Sequence, residues 1–473
     1  MAEDSTITST SQGQGTEHRR ADVVPQLILI TLSDEPSTVS SRHSLATIDE
    51  VRFGRGPREA TRRTLDGLRI LELRVPDPRM SGEHGRLFRG PAGWVLDDPG
   101  SKNGVIVDGE LTRRAVLADG ALIELGHTFF WFASEVDGAP ADERADELRP
   151  PSPALATFDR ELAEQFDALS RVATTGVSVV LLGETGTGKE VVARALHELS
   201  GRRGAFVAVN CGALPDTLVE AQLFGHRKGA FSGATGDRPG LVRSADHGTL
   251  FLDEVGELPA ASQTAFLRVL QEREVVPIGD DRPIKIDVQL CAATLQDLEA
   301  MIAAGRFRSD LYARLVGLDV ELPPLRKRRV DLGILIASLL ARIPGGDRAR
   351  FTPAAMRALL HHDWPLNIRE LEKTLQRAVA LSADGLVELP HLPGDVTRPR
   401  DRGEQSPSAR PPSSPSPPPA LDEEDRVLRE RLIELLTRHH GNVRAVAAEL
   451  RKQRTQVYRW AERLAIDLGA FRK

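Results

Sequence analysis

The stretch Gly183-Glu184-Thr185-Gly186-Thr187-Gly188-Lys189-Glu190 has the residue types to hold phosphate. Its glycines let successive backbone N–H groups turn inward on phosphate oxygens, and Lys189 reaches the β- and γ-phosphates. An apolar strand, Val177–Leu182, precedes it and the helical pattern VVARALHELS follows, so a helix N-terminus adds its partial positive charge. The general form of this loop places Ser or Thr after the lysine as a magnesium ligand; here that position is Glu190. A second element strengthens the reading. Thr249-Leu250-Phe251-Leu252 is an apolar strand that ends in Asp253-Glu254. Asp253 would hold the magnesium shell and Glu254 would orient the attacking water. The implied cofactors are ATP and Mg2+.

Two further stretches carry chemistry of another kind. In Leu223-Phe224-Gly225-His226-Arg227-Lys228-Gly229-Ala230-Phe231-Ser232-Gly233-Ala234, glycines let a loop change state and Phe231 offers an aromatic anchor for a partner. Near the C-terminus, Arg438, Arg444, Arg451, Lys452, Arg454, Arg459 and Arg463 face only Glu449 and Glu462. Such a local basic excess suits phosphate contact with nucleic acid. Arg454, Thr455, Gln456 and Arg459 sit where a recognition helix begins, and Arg and Gln read guanine and adenine in the major groove.

The chain of 473 residues is long enough for several domains, and composition divides it. Residues 1–22 read as a disordered tail. Residues 23–133 hold short strands separated by Gly, Pro and Asp clusters, the pattern of a β-sandwich. Residues 134–156 are acidic and Pro/Ala-rich and read as a linker. Residues 157–395 alternate strand and helix patterns, an α/β P-loop NTPase core. Residues 396–420 are a Pro/Ser-rich tether, and residues 421–473 are helical. The expected fold is therefore multidomain: β-sandwich, α/β NTPase, and an all-α helix-turn-helix. A net charge of −6 confines any nucleic-acid contact to local patches. Cys211 and Cys291 form no metal-spaced cluster, and no apolar run approaches the ~20 residues of a membrane span. The expected location is cytoplasmic, with no membrane partner.

On these residues the central block resembles the AAA+ domain of sigma-54-dependent activators, the bacterial enhancer-binding proteins. That family carries Glu after the P-loop lysine. GAFSGA resembles its GAFTGA loop, so the resemblance assigns sigma-54 contact to Gly229, Ala230, Phe231, Ser232, Gly233 and Ala234. It also implies a helical lid over about 328–395, and roles for Asn210 as restraint on Glu254, Thr294 in the sensor segment, and Arg369 as the lid's sensor arginine. Arg308 and Arg314 match arginines that reach a neighbouring subunit's nucleotide, which implies a ring, expected to be a hexamer. The C-terminal block looks like a Fis-like helix-turn-helix for enhancer DNA. The N-terminal block, with Gly54-Arg55, Ser81-Gly82-Glu83-His84 and Lys102-Asn103-Gly104, resembles a forkhead-associated (FHA) domain. That likeness assigns phosphothreonine binding to Arg55, Ser81, Lys102 and Asn103, and implies a Ser/Thr kinase input. His84 reads as a brace rather than a ligand.

The chain departs from the activator pattern at Gln222 (usually Glu), Leu295 (usually Asn), Leu366 (usually Gly) and Arg451-Lys452-Gln453 in the last turn. Leu295 and Gln222 keep open an alternative, a phosphopeptide-responsive DNA-binding regulator whose ATPase is weakened or degenerate. The expected function is ATP-driven remodelling of sigma-54 RNA polymerase.

Overall fold

A computed structural model describes residues 23–137, 142–213, 218–231, 234–398, 423–439 and 443–450, with positions 456, 457, 460, 461, 464 and 466. Ser232, Gly233, Arg451–Gln453, Arg454, Thr455, Arg459 and the tail 1–22 lie outside the described residues. The chain forms two units, divided at Arg398/Pro399.

The first unit opens with a two-sheet β-sandwich. One sheet runs β13-β2-β1-β12-β11-β8-β9, with β8 at Val105–Val107 and β9 at Glu110–Thr112, and the other β10-β7-β6-β3-β5-β4, with β4 at Glu59–Leu65, β6 at Gly85–Gly90, β7 at Gly93–Asp97 and β10 at Arg114–Val116. The central strands of the first are β1 (Val23–Leu32), β12 (Thr128–Asp137) and β11 (Ala121–Leu125), paired antiparallel. In the second, β3 (Glu50–Arg55) runs parallel to β5 (Leu68–Val75), and the β5–β6 and β7–β8 loops open beside the end of β3. Leu27, Leu29, Phe130, Phe132, Ile123 and Leu125 face the other sheet and fill the sandwich core. Within the linker, Glu143–Arg144 (β13) pairs with β2 (Ser41–Ser44) at the sheet's edge, and Ala145 and Leu148 pack beside it.

The central α/β core is a five-stranded, wholly parallel sheet in the order β15-β16-β19-β14-β20. Its strands are Phe206–Asn210 (β15), Thr249–Asp253 (β16), Gln289–Thr294 (β19), Val179–Leu182 (β14) and Leu318–Glu321 (β20). They are short and apolar because helices cover both faces, as in parallel sheets generally. Val180, Leu250, Leu252, Leu290 and Ala292 fill one face, and Val179, Leu181, Phe251, Cys291 and Ala293 the other. Cys211 and Cys291 are buried, and burial pushes the Cys211 thiol up to about 12. A small hairpin, β17 (Glu274–Val275) with β18 (Ile284–Lys285), projects between β16 and β19.

The lid carries helices α8 (Leu332–Leu340), α9 (Pro353–His361) and α10 (Asn367–Leu381). Its buried core is continuous with part of the sandwich: Ile28, Ile30, Leu122 and Phe129 join Ile336, Met356, Leu359 and Leu375 in one cluster. Each such fully buried side chain contributes roughly 1.5–3 kcal/mol as an upper figure.

The second unit contains helices Glu423–Arg438 and Val443–Leu450 and helical turns at 456–457 and 460–461. Leu432, Leu435, Leu436, Val446, Ala447, Val457, Ala461 and Leu464 form its core. Among the described residues no helix is long and apolar enough to cross a membrane.

Candidate functional site

Strand β14 feeds the phosphate loop, and the helix Lys189–Ser200 leaves it. Three of its residues adopt positive φ: Gly183 at 153°, Gly186 at 80° and Gly188 at 103°. Glycine is needed there for space as well. A Cβ on Gly186 would lie 2.2 Å from the Leu366 carbonyl, and one on Gly183 would lie 2.7 Å from the Leu322 carbonyl. Lys189 Nζ donates to the carbonyls of Gly183 (2.8 Å) and Glu184 (2.9 Å), so its ammonium sits inside the loop it would share with phosphate. Burial lowers its pKa; Asp253 opposes this shift and Arg369 reinforces it. The Glu190 carboxylate turns along the helix to Arg194 (2.6 Å), on an exposed face.

Lid residues clamp this loop. Asn367 Nδ2 donates to the Thr185 carbonyl (3.0 Å), and Ile368 N donates to the Gly186 carbonyl (2.9 Å). Arg328 Nη2 donates to the Thr187 carbonyl (2.8 Å) from a buried position. Arg326 holds the Glu184 carboxylate (2.5 and 2.8 Å), which lowers the pKa of that carboxyl below its ordinary value. Arg369 is exposed, with its Cβ 3.1 Å from the position a Gly186 Cβ would take. Leu366 has φ −103°, a conformation open to any residue, so the loss of glycine there strains nothing. The left-handed residues of the turn are Trp364 and Asn367. Thr185 and Thr187 lie in the loop, and Thr187 Oγ1 donates to the Glu184 carbonyl (2.9 Å).

Asp253 ends β16 and pairs in register with Asn210, the last residue of β15. Glu254 follows in a left-handed conformation (φ 56°), and its N–H donates to Asp253 Oδ1 (3.1 Å). Its carboxylate and the Asn210 amide oxygen approach one glycine: a Cβ on Gly212 would meet them at 2.6 and 3.5 Å. Asn210 Oδ1 accepts from Ala213 N (3.0 Å) and makes no hydrogen bond to Glu254. Thr294 is buried at the end of β19 and accepts from Gln296 N (2.9 Å). Leu295 is 57% exposed and, with Glu254, Glu257, Thr294 and Gln296, lines a pocket of about 200 Å3. Gln296 donates to Glu257 there. Gln222 is exposed on its helix.

Arg308 and Arg314 bracket the helix Ser309–Leu315, are both exposed, and lie outside this constellation. Arg308 pairs with Asp310 (2.7 Å), which holds its guanidinium above its ordinary pKa.

The glycine-rich loop at 229–234 closes through Gly229 N to the Ala234 carbonyl (2.9 Å). Phe231 is 37% exposed and meets the His226 ring edge-on at 5.0 Å. Arg227 grips the base, bonding to Asp237 (2.7 Å) and to Asp280 beyond the β17 strand (2.7 Å). Ala230 packs against Gly279 of the same hairpin segment.

In the sandwich, Arg55 N donates to the Ser81 carbonyl (2.8 Å), and Ser81 Oγ accepts from Lys102 N (3.2 Å). Asn103 Nδ2 donates to the Arg79 carbonyl (2.6 Å). The four residues picked from sequence thus stand together at one end of the domain, with the Arg55 and Lys102 side chains exposed. His84 is fully buried between Ser81 N (2.8 Å) and the Gly104 carbonyl (3.0 Å), a brace. Arg74, which donates to the Gly82 carbonyl, and Arg79 add positive charge that the motifs did not reveal.

In the C-terminal unit, Gln456 is half-buried on a helical turn. Arg438, counted among the basic residues, pairs with Glu434 (2.7 Å) and Glu449 (3.0 Å).

Asn367, Arg328 and Arg227 were missed by sequence reasoning. Only Asn367 carried a signal, as a residue type that tolerates left-handed backbone.

Three family profiles match: "Sigma-54 interaction domain" over residues 155–321, "AAA+ ATPase lid domain" over 326–409 and "FHA domain" over 51–126. The acetoin catabolism regulatory protein of Cupriavidus necator is 42% identical over 322 residues, covering 66% of this chain and 47% of its own. The sigma54-dependent transcriptional regulator SfnR of Pseudomonas fluorescens is 48% identical over 252 residues, covering 50% of this chain and 69% of its own. A crystal structure of NtrX from Brucella abortus in complex with ATP aligns with 30% identity and a TM-score of 0.46, covering 67% of this chain and 71% of that one. The chain thus spans about half the length of the first of these relatives and about two thirds of the second.

Proposed function

This chain belongs to the sigma-54-dependent transcriptional regulators, and from that premise we propose that it is an activator that hydrolyses ATP to remodel sigma-54 RNA polymerase at promoters. Enhancer DNA would be held by the C-terminal helices, and a phosphothreonine protein of a Ser/Thr kinase pathway would gate the activity, all in the cytoplasm. The observation that carries the reading is that the phosphate loop leading to Lys189, Asp253 and Thr294 all lie at the carboxyl ends of three neighbouring parallel strands, with lid residues clamped on that loop. Open parallel sheets bind ligands at that edge.

The donor set fits magnesium-ATP. The positive-φ glycines let the loop turn around Lys189, which needs only to exchange two carbonyls for phosphate oxygens. Asp253 would hold the metal through its oxygens, a hard-donor role. Magnesium-ATP, when bound, supplies the phosphoryl group and shields its charge. Glu254 orients water for attack; Asn210 stands at the same glycine without a hydrogen bond to it, so its proposed restraint on Glu254 needs the two side chains to close that gap. Arg369 covers the phosphate loop from the lid. Arg308 and Arg314, exposed and away from their own loop, complete a neighbour's site in a ring, taken to be a hexamer. An arginine supplied in trans is worth on the order of 10³–10⁵ in comparable reactions. Phe231, with Gly229, Ala230, Ser232, Gly233 and Ala234, contacts the sigma factor. Arg55, Ser81, Lys102 and Asn103 bind phosphothreonine through charge-assisted bonds.

Leu295 favours a second reading, a phosphopeptide-responsive DNA-binding regulator with weak hydrolysis, because an apolar side chain stands where the pocket beside Glu254 calls for a polar one. Transcription from a sigma-54 promoter in vitro separates the two. Wild type is expected to need hydrolysable ATP. Glu254→Gln should bind ATP but turn over at least ~100-fold more slowly, and Phe231→Ala should hydrolyse without opening the promoter. Absence of turnover by the assembled wild-type oligomer would sink the activator reading.

A further inference from the structure

The sandwich turns a second apolar row outward. On β1, Ile28 and Ile30 alternate with the core residues Leu27 and Leu29; Phe129 on β12 and Leu122 on β11 do the same. All four are buried against the lid. Contact reaches the backbone: a Cβ on Gly333 of α8 would lie 2.1 Å from the Ile30 carbonyl. Polar groups seal the rim. Arg357 of α9 makes two bonds to the buried Glu124 (2.8 and 3.0 Å), and Arg329 lies over the Trp131 ring at 5.6 Å.

A run of short hydrogen bonds connects this face to the far end of the domain. Asn103 donates to the Arg79 carbonyl at 2.6 Å, and Arg79 N donates to Asp77 Oδ1 at 2.8 Å. Asp77, 1% exposed, also accepts at Oδ2 from His127 N (2.7 Å) and Thr128 Oγ1 (2.8 Å). The His127 carbonyl accepts from Ser33 N (2.8 Å), and the Ser33 carbonyl accepts from Phe351 N of the lid (2.7 Å). There is no slack at the centre, because a Cβ on Gly126 would lie 2.8 Å from Asp77 Oδ2 and 2.9 Å from the Arg79 carbonyl carbon. At its other edge the lid presents Asn367, Ile368 and Arg369 to the phosphate loop.

We propose that sandwich and lid move as one body through this face, and that a ligand on the Arg55–Ser81–Asn103 loops acts on nucleotide affinity by biasing the lid through Asp77. The coupling rests on the phosphothreonine reading of those loops; the union of sandwich and lid does not. An interface packed to this density switches between discrete arrangements rather than bending, so ordering the Arg79–Ser81 loop tilts the whole body. Linkage then requires reciprocity: peptide changes nucleotide affinity by the factor by which nucleotide changes peptide affinity.

The test uses the full chain, a fluorescent ADP analogue and the tightest phosphothreonine peptide from a degenerate library. Saturating peptide should shift the ADP Kd by about fivefold or more, with the same factor in the reverse titration. Arg357→Ala should keep peptide binding and bring that factor close to one; Glu124→Gln, which keeps the shape, repeats the test should Arg357→Ala fold poorly. Asp77→Asn should reduce the factor. A wild type that binds peptide with a factor of one, or an Arg357→Ala protein with the wild-type factor, overturns the coupling. If wild type binds no phosphothreonine peptide, the phosphothreonine reading alone fails. The ADP affinity of Arg357→Ala then decides the union: a severalfold change supports it and none overturns it.

Discussion

The loops at 183–188 and 229–234 are both rich in glycine and use it differently. In the phosphate loop, Gly183 and Gly186 combine left-handed backbone with carbonyls 2.2–2.7 Å from where a Cβ would sit. Lid bonds from Asn367, Ile368 and Arg328 then fix the loop from outside. In the second loop, Gly229 is also left-handed (φ 84°), but among the described residues nothing lies within 4 Å of its missing Cβ. That loop closes on itself through Gly229 N and the Ala234 carbonyl, and its side-chain anchors are the exposed Arg227 between two carboxylates and one aromatic edge contact. A ligand cradle is built from constraints that do not relax. A loop that must reach a partner is held by contacts that water and salt can replace.

Matched substitutions test the contrast most strongly. Gly186→Ala should weaken ATP binding by roughly 100-fold, about 2.7 kcal/mol, since both conformation and clearance forbid the methyl. Gly229→Ala meets only the conformational cost, about 1–2 kcal/mol, and should leave ATP binding intact while reducing promoter opening. Equilibrium binding of a fluorescent ATP analogue reads both; equal losses would erase the distinction. A smaller effect is expected from Arg227→Ala, which frees the loop's base. ATP turnover should persist while open-complex yield falls, and rising salt should bring wild type toward the variant. Yield independent of salt in both proteins would contradict the latch.

The smallest effect concerns how the lid is anchored. Asp331, at the start of α8, is fully buried and accepts from Thr157 Oγ1 and Phe158 N at 2.7 Å. Burial pushes its carboxyl up to about 6, against the pull of Arg328. A raised carboxyl pKa adds stability that is complete below its ordinary value near 3.8 and is lost as pH rises through about 6. Thermal melts should show wild type losing stability relative to Asp331→Asn across that window. Parallel profiles would remove Asp331 as the cause.

The phosphate loop, the Asp253-Glu254 strand end and the FHA loops were readable from residue order because each depends on local backbone geometry. The sandwich–lid face was not, although its trace was present. Antiparallel strands with one wet face alternate apolar and polar residues, whereas QLILITL and HTFFWFA are apolar at nearly every position. Ile28, Ile30, Phe129 and Trp131 thus announced a second cover without naming it. Leu366 misled in the opposite direction: sequence marks a lost glycine, while the strained φ falls on Trp364 and Asn367. The role proposed for Arg308 and Arg314 needs a neighbouring chain, so the geometry of one chain leaves them as two exposed arginines.

The outward row of β1 also sets a limit on modularity. Composition places a boundary near residue 134, yet Ile28 and Phe129 share a core with Ile336 and Met356. Grafting a different sensor onto this ATPase would strip the cover from an oily lid surface, and a truncated ATPase would carry that surface into solution as a site for aggregation. In this chain an exchange of the sandwich therefore has to recompose the lid surface with it.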